Sequence, residues 1–303
     1  MSAVLKIGGS VLTGPAGYRQ AAAFVARLAA GGKRLVVVVS AEKGHTDALL
    51  EEARRYATEP QQELLDLLWS TGEVRSVALL TLLLRATGTP AVGLNAHEAG
   101  LIAHPDRVDL QADTLLASLT RSSVIVVPGF LATKGQRLVT LGRGGSDLSA
   151  VIIAARLGAP RCVLVKDVDG YFTSDPAADP AARLVPGIGY HAALRMADGG
   201  CPLVQREALI AGRDAGVEIV VRSLTSEGTL VSRRLDISTS TFPVPQFSSS
   251  PVSVTHERTN ANGLRDTHDS RGTTGRARNR RRRLADFSDH DVSAGRAGRP
   301  SGV

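Results

Sequence analysis

Six short apolar runs, rich in Val, Ile and Leu, recur between residues 3 and 221 and alternate with longer segments of helical periodicity. Apolar side chains occupy both faces of each run, which is typical of parallel strands covered by helices on both sides. Parallel neighbours need crossover connections, and the helical segments supply them. The sequence therefore predicts an α/β fold: a three-layer αβα sandwich with a mainly parallel open sheet.

The predicted elements alternate in a regular order. The predicted strands are Ala3–Ile7, Leu35–Ser40, Ala91–Leu94, Val124–Val127, Cys162–Lys166 and Val217–Val221. The predicted helices are Gln20–Ala30, Thr46–Tyr56, Gln61–Trp69, Glu73–Ala86, Gln111–Leu119, Asp147–Leu157 and Gln205–Ala215.

The composition changes near Asp236, where apolar periodicity ends and Ser, Thr, Pro, Gly and Arg take over. We therefore predict a folded domain over residues 1–235 and a disordered Arg/Ser/Gly/Pro-rich tail over residues 236–303. Arg276–Arg283 holds six arginines. Three interpretations of this tail stay open: an arm that binds nucleic acid or an acidic partner, a merely solvated tail, and an out-of-frame extension.

The formal charge of +7 is concentrated in this tail, because residues 251–303 contain eleven arginines against six acidic residues. The remaining chain is nearly neutral, so nucleic-acid binding by the folded part is disfavoured. Cys162 and Cys201 form no CxxC pair, which argues against a zinc or disulfide framework. No basic segment followed by a long apolar run opens the chain, and no apolar run approaches the ~20 residues that span a bilayer. A cytoplasmic location without membrane contact is expected.

Two glycine-rich segments have the character of anion-binding loops. Lys6–Val11 follows the first predicted strand, and its Gly8-Gly9 pair lets the backbone approach a phosphate while the lysine adds positive charge. Gly142–Asp147 precedes a predicted helix and contains an arginine suited to a carboxylate. It departs from the dinucleotide-binding pattern, because Asp147 stands where the third glycine would be. Each segment alone also fits an ordinary turn.

Two further segments carry polar groups beside predicted strands and helices. Ser70–Glu73 precedes a long apolar helix, where Glu73 either complements the helix dipole or faces a substrate ammonium group. Lys166–Pro176 follows a predicted strand, at the sheet edge where open α/β sheets bind ligands. A plain turn rich in Asp, Gly and Pro is the alternative.

These four segments resemble parts of the catalytic domain of aspartate kinases, in the amino-acid kinase superfamily. Further similar stretches are Val38–Ala41, Gly44–Asp47, Val126–Phe130, Val221–Ser223 and Gly228–Leu230. The resemblance spans about Val4–Val231, and its most specific part is Thr140–Asp147. It implies the amino-acid kinase fold, ATP with Mg²⁺, L-aspartate or a related acid as the substrate, and a homodimer. No regulatory ACT pair is expected.

The resemblance also implies roles for individual residues. Lys6 and Asp147 would be catalytic, Lys6 by stabilising charge during transfer and Asp147 by positioning Lys6. The amino-acid substrate would contact Ser40, Glu73, Arg143 and Ser146, with Glu73 and Arg143 holding its ammonium and carboxylate groups. ATP would contact Lys6, Gly8, Gly9, Ser10, Gly144, Gly145, Lys166, Asp167, Tyr171, Phe172 and Asp175. No protein metal site is implied, because Mg²⁺ would arrive on the ATP phosphates.

The sequence departs from the family pattern in the nucleotide-binding part. Ala177 stands where a basic residue usually follows the Asp-Pro pair, and Gly199–Pro202 lacks the lysine of the family's G-x-K stretch. Lys166, at a position often held by Thr or Ser, could partly replace that charge. Two alternatives therefore stay open beside an aspartate kinase: a kinase of the same fold that acts on a different amino acid or small acid, and a degenerate homologue that binds a ligand without turnover.

Overall fold

A computed structural model describes residues 2–142, 144–201 and 203–236. Its strands are β1 Ser2–Ile7, β2 Arg34–Val39, β3 Ala91–Gly93, β4 Leu101–Ala103, β5 Val108–Leu110, β6 Val124–Pro128, β7 Leu131–Lys134, β8 Arg137–Thr140, β9 Arg161–Val165, β10 Gly187–Ile188, β11 Glu218–Arg222 and β12 Thr229–Val231. Its α-helices are α1 Gly14–Ala30, α2 His45–Arg54, α3 Gln62–Ala86, α4 Ala96–Ala99, α5 Asp113–Arg121, α6 Gly145–Arg156, α7 Tyr190–Asp198 and α8 Arg206–Ala215, and a 3₁₀ turn covers Arg233–Leu235. The predicted tail lies outside the described residues, apart from Asp236.

The six predicted strands are consecutive neighbours in the main sheet. That sheet has the order β10-β12-β11-β9-β1-β2-β6-β3. Every pairing from β11 to β3 is parallel, whereas β12 runs antiparallel to β11. The predicted fold class is therefore confirmed, with a mixed edge added at one side.

Alternate residues of each central strand feed two separate cores, one on each face of the sheet. In β2, Val36 and Val38 belong to one core, whereas Leu35, Val37 and Val39 belong to the other. Helices α5, α6 and α8 pack on the first face, and α1 and α3 cover the second. The uniformly apolar strands thus meet the requirement that both faces be buried.

A second, smaller sheet of order β5-β4-β7-β8 was not predicted. Its strands are three or four residues long, which is too short for a clear periodic signal. The hairpin of β7 and β8 delivers Thr140 and the following glycine-rich turn to the edge of the main sheet. Asp66 of α3 accepts a hydrogen bond from Thr140 Oγ1 at 2.7 Å, which fixes this hairpin against the helix.

The prediction of two helices separated at Ser70–Gly72 was wrong, because α3 runs unbroken through this segment. Gly72 sits in mid-helix for a packing reason: a Cβ there would lie 2.7 Å from the His45 ring and 3.2 Å from the Ala41 side chain. The helix therefore needs glycine to approach the neighbouring loop. Helix α1 also begins earlier than predicted, with Pro15 in its first turn, and α4 and α7 were not predicted.

Among the described helices, α3 has the length and apolar composition that would allow a membrane crossing. Length and apolar composition are weak evidence for a membrane span, since the core helices of globular proteins share them. One side of α3 buries the polar residues Asp66 and Glu73 against the protein, and the other exposes Leu64, Leu67 and Leu82. Helix α3 thus packs on the second face of the main sheet, as one of the helices that cover it.

Candidate active site

A cleft of about 530 Å³ opens at the carboxyl ends of the central strands. Lys6 of β1, Ser40 after β2 and Phe130 after β6 contribute to it, and the first turn of α6 closes one end. Its lining residues are Lys6, Ser40, Ala41, Thr46, Asp47, Leu50, Gln62, Trp69, Glu73, Phe130, Thr140, Gly142, Gly144 and Ser146. The structure thus brings together five of the predicted site residues: Lys6, Ser40, Glu73, Gly144 and Ser146.

The Gly8-Gly9 turn after β1 packs tightly against its neighbours. A Cβ on Gly9 would lie only 2.1 Å from the carbonyl oxygen of Ala41, so glycine is required there. The Gly8 N–H donates to the Val165 carbonyl at 2.9 Å. The prediction that the Gly8 amide contacts phosphate is therefore corrected, because β9 already uses this donor. In the described hydrogen bonds, the N–H groups of Gly9 and Ser10 have no such partner and suit an anion better.

The N-terminus of α6 places Asp147 beneath the cleft. Gly144 caps this helix with a φ of 80°, and Asp147 lies in its first turn. The Asp147 Oδ1 atom is 3.0 Å from Lys6 Nζ, and Oδ2 is 2.8 Å from Lys166 Nζ. The side chains of Lys6, Asp147 and Lys166 are 10%, 3% and 16% exposed, respectively. Two lysines therefore share one buried carboxylate at the floor of the cleft.

Opposing effects act on the ionisation of this cluster. Burial alone would raise the pKa of Asp147, but the ammonium groups of Lys6 and Lys166 outweigh it and hold that pKa below its ordinary value. Burial lowers the pKa of Lys166, while the neighbouring Asp147 carboxylate opposes this shift. Asp147 is therefore ionised at neutral pH, and it anchors both lysines at the mouth of the glycine-rich turn.

Glu73 lies in the middle of α3 with its carboxylate held by backbone donors. Oε1 accepts the Ala41 N–H at 2.8 Å, and Oε2 accepts the N–H groups of Gly129 and Phe130 at 2.9 and 3.1 Å. Burial raises the pKa of Glu73, whereas these hydrogen bonds and the charge of Lys6 act in the opposite direction. Glu73 thus holds the ends of β2 and β6 together, and it also lines the cleft.

Several lining residues had no predicted role. Trp69 and Phe130 form an edge-to-face pair with ring centroids 6.4 Å apart, and Trp69 Nε1 donates to the Thr46 carbonyl at 3.1 Å. Asp47 and Gln62 contribute polar groups to the same wall. The aromatic residues stand in the sequence as ordinary apolar positions, so only the fold reveals that they meet at the cleft. Ser40 Oγ donates to Ser146 Oγ at 3.0 Å and links the opposite wall to α6.

The amino acid kinase family profile matches residues 1–223, which include every residue that lines the cleft. The chain belongs to the amino acid kinase family. It is 39% identical over 236 residues to an aspartokinase of Thermus thermophilus and 33% identical over 243 residues to an aspartokinase of Helicobacter pylori. These matches cover 75% and 78% of this chain but 58% and 60% of the two relatives. A crystal structure of aspartate kinase from Synechocystis superposes with a TM-score of 0.71 at 35% identity, over 77% of this chain and 40% of that chain.

The predicted nucleotide-binding residues of this amino acid kinase do not all face the cleft. Tyr171 is 1% exposed and its ring lies in the core. Its side chain is therefore not available to contact a nucleotide, and the prediction for this residue is corrected. Phe172 is half-buried and pairs with Leu184 in an isolated bridge. Asp167 and Asp175 are exposed. Gly145 lies in the first turn of α6, and Arg143 lies outside the described residues.

Proposed function

We propose that this chain transfers the γ-phosphoryl group of ATP to the side-chain carboxylate of L-aspartate, forming 4-phospho-L-aspartate. The observation that carries the proposal is the pairing of Lys6 and Lys166 on Asp147, at the point where the cleft meets the Gly8-Gly9 turn. The family profile covers residues 1–223, which include this cluster, and aspartokinases are among the similar proteins. The chain spans about three fifths of their length, so the activity is inferred from the site and the similarity together.

The groups in the cleft suit transfer between two anions. A carboxylate acceptor has a pKa of about 4, so it is ionised at neutral pH and needs no general base. Positioning and neutralisation of charge then dominate the catalysis, as in other phosphoryl transfers. Lys6 and the unengaged N–H groups of Gly9 and Ser10 supply positive charge and donors on the phosphate side of the cleft. Mg²⁺ would arrive on the phosphate oxygens of ATP, which are the hard oxygen ligands it prefers.

The acceptor side combines a buried carboxyl group with polar and aromatic walls. Glu73 lines the cleft with its carboxyl group, and we assign it to the ammonium group of the amino acid. Ser40 and Ser146 line the opposite wall, and we assign them to the same substrate. Arg143, next in sequence to the described turn residues Gly142 and Gly144, is proposed to hold a substrate carboxylate. The domain that performs the reaction is proposed to be residues 1–235, in the cytoplasm.

Trapping of the acyl phosphate tests the activity. The purified full chain would be incubated with Mg²⁺-ATP, hydroxylamine and millimolar L-aspartate, and aspartyl hydroxamate would be measured. Parallel reactions with L-glutamate and N-acetylglutamate would define the acceptor. Hydroxamate formed from another acid and not from aspartate would reassign the substrate, and no hydroxamate from any acid would remove the proposed activity.

A further inference from the structure

The ion-paired cluster beneath the cleft contains two cationic side chains, Lys6 and Lys166, and one anionic side chain, Asp147. Asp147 is the ion-pair partner of both Lys6 and Lys166 among the described residues. Glu73 is also near Lys6, but its oxygens bind backbone N–H groups and form no ion pair with either lysine. A buried ammonium group that shares its counterion is costly unless a further anion completes the arrangement. A bound anion beside Lys166 would balance the second ammonium group.

Lys166 lies at the carboxyl end of β9, next to β1. It is the first residue after β9, and β9 pairs in parallel with β1 so that Ile7 lies opposite Val165. The Gly8 N–H binds the Val165 carbonyl, which places Lys166 directly beside the glycine-rich turn. Among the described residues, its Nζ makes one hydrogen bond, to Asp147 Oδ2. An ammonium group has three donors, so two remain for a ligand.

We propose that Lys166 is a second catalytic cation, which contacts the transferring phosphoryl group together with Lys6. Asp147 holds both ammonium groups toward this group by binding one on each of its oxygens. The inference rests on the proposed phosphoryl transfer and adds to it the identity of the second cation.

The transfer itself balances with these groups. The acceptor carboxylate oxygen forms a bond to the γ-phosphorus as the bond from that phosphorus to the bridging oxygen of ADP breaks. The bridging electron pair stays with ADP, and no proton is moved. Charge develops on the oxygens between the phosphorus and the leaving ADP, where a preorganised ammonium group acts more strongly in the transition state than in the ground state.

Substitution of Lys166 by methionine tests the assignment, because methionine keeps the length of the side chain and removes its charge. Asp147 keeps Lys6 as a partner in Lys166→Met, so its carboxylate is not left alone. We expect kcat to fall by about 10²–10³-fold, the usual loss for one preorganised donor. The dissociation constant for a nonhydrolysable ATP analogue with Mg²⁺ should rise by only about 3–10-fold, since the contact strengthens in the transition state. Lys166→Arg should retain more activity than Lys166→Met.

Lys134→Met serves as the matched control, since Lys134 is exposed on β7 and away from the cleft. This control should keep the wild-type kcat and nucleotide affinity. If Lys166→Met keeps the wild-type kcat and the wild-type dissociation constant for the ATP analogue, the inference is overturned, even if aspartate phosphorylation is confirmed. If the wild type forms no acyl phosphate, the proposed function fails separately. Nucleotide binding then decides: weaker binding by Lys166→Met supports phosphate contact, and unchanged binding excludes it.

Discussion

The carboxylate of Glu73 accepts the backbone N–H of Ala41 at 2.8 Å and thereby ties the middle of α3 to the end of β2. Its second oxygen does the same for two N–H groups after β6. One side chain thus organises two of the loops that form the cleft. Glu73 has a structural role in addition to the substrate contact that the sequence predicts. The structural role is measured by stability, and the substrate contact by the KM.

Glu73→Gln should affect both substrate binding and stability. The amide has one acceptor oxygen, so some of the three buried N–H donors lose their partner, at a cost of about 1–3 kcal/mol of unfolding free energy. Loss of the carboxyl group that is assigned to the substrate ammonium group should also raise the KM for aspartate at least tenfold. Glu63→Gln is a suitable control, because Glu63 lies on the same helix, exposed to solvent. If Glu73→Gln lowers stability but leaves the KM unchanged, Glu73 has a structural role and does not contact the substrate.

Lys6→Met should lower kcat by about 10²–10³-fold, because Lys6 lies at the junction of the cleft and the glycine-rich turn. Lys6 is almost buried and paired with Asp147, so alanine would also remove packing that methionine keeps. Steady-state kinetics would be compared with Lys33→Met, which removes an exposed lysine. Equal kcat values in the two variants would exclude Lys6 from the mechanism.

The ionisation of Asp147 makes the stability of the domain depend on pH. Its pKa is lower in the folded protein than the ordinary value of 3.8, so the ionised carboxylate stabilises the fold above that pH. This contribution is lost as the pH falls through the folded-state pKa. Asp147→Asn should therefore cost about 3–5 kcal/mol at pH 7, because two buried lysines lose their counterion.

Urea denaturation of wild type and Asp147→Asn, at pH 7 and at successively lower pH, measures this dependence. The difference in unfolding free energy should be largest at pH 7. It should shrink as the pH falls below about 4, because the unfolded-state carboxylate then takes up a proton while the folded one stays ionised until its lower pKa is reached. Asp106→Asn provides a control, since Asp106 is exposed in a loop outside the cleft. A difference that stays constant with pH would show that charge on Asp147 does not stabilise the fold.

The sequence reveals those parts of the structure that depend on local pattern. β2 and β6 were predictable because every residue of Leu35–Val39 and Val124–Val127 is apolar, and only a covered parallel sheet buries both faces. The second sheet was not predictable in this way, because its strands are too short and receive their partners from distant segments. Gly72 suggested a helix end. In the structure it lies in mid-helix, where the close approach of His45 from another helix leaves no room for a side chain.

The candidate site shows the same division between local and distant information. Lys6, Glu73 and Asp147 carry a family pattern, so the sequence could nominate them. It could not show that Asp147 holds Lys166 as well as Lys6, since Asp147 and Lys166 lie 19 positions apart in the sequence and in different parts of the fold. It also could not show that Tyr171 faces the core and Phe172 does not, because neighbouring residues in a loop do not follow a fixed alternation.

Gly9→Ala should damage the site through its backbone. The added Cβ would lie 2.1 Å from the Ala41 carbonyl oxygen, so the turn after β1 or the loop after β2 must move. We expect kcat/KM to fall at least tenfold, and the unfolding free energy to fall by about 1–3 kcal/mol, as for other overpacked sites. In Gly31→Ala the nearest heavy atom is 3.5 Å away, an ordinary contact, and this control should behave like wild type. Normal kinetics in Gly9→Ala would contradict the packing of the two loops.

Removal of residues 237–303 should leave catalysis nearly unchanged. The described chain up to Asp236 already contains both sheets and every residue that lines the cleft. The composition of the removed segment, rich in Arg, Ser and Gly with no lysine, predicts too little apolar surface to offset the entropy of ordering it. Truncation should be made after Asp236, because its carboxylate accepts the His191 N–H at 2.9 Å. The kcat, the KM for aspartate and the melting temperature would be compared with those of the full chain at low and physiological salt. A large loss of activity or of folded protein would show that the segment supports the domain, and a loss confined to low salt would assign it an electrostatic role.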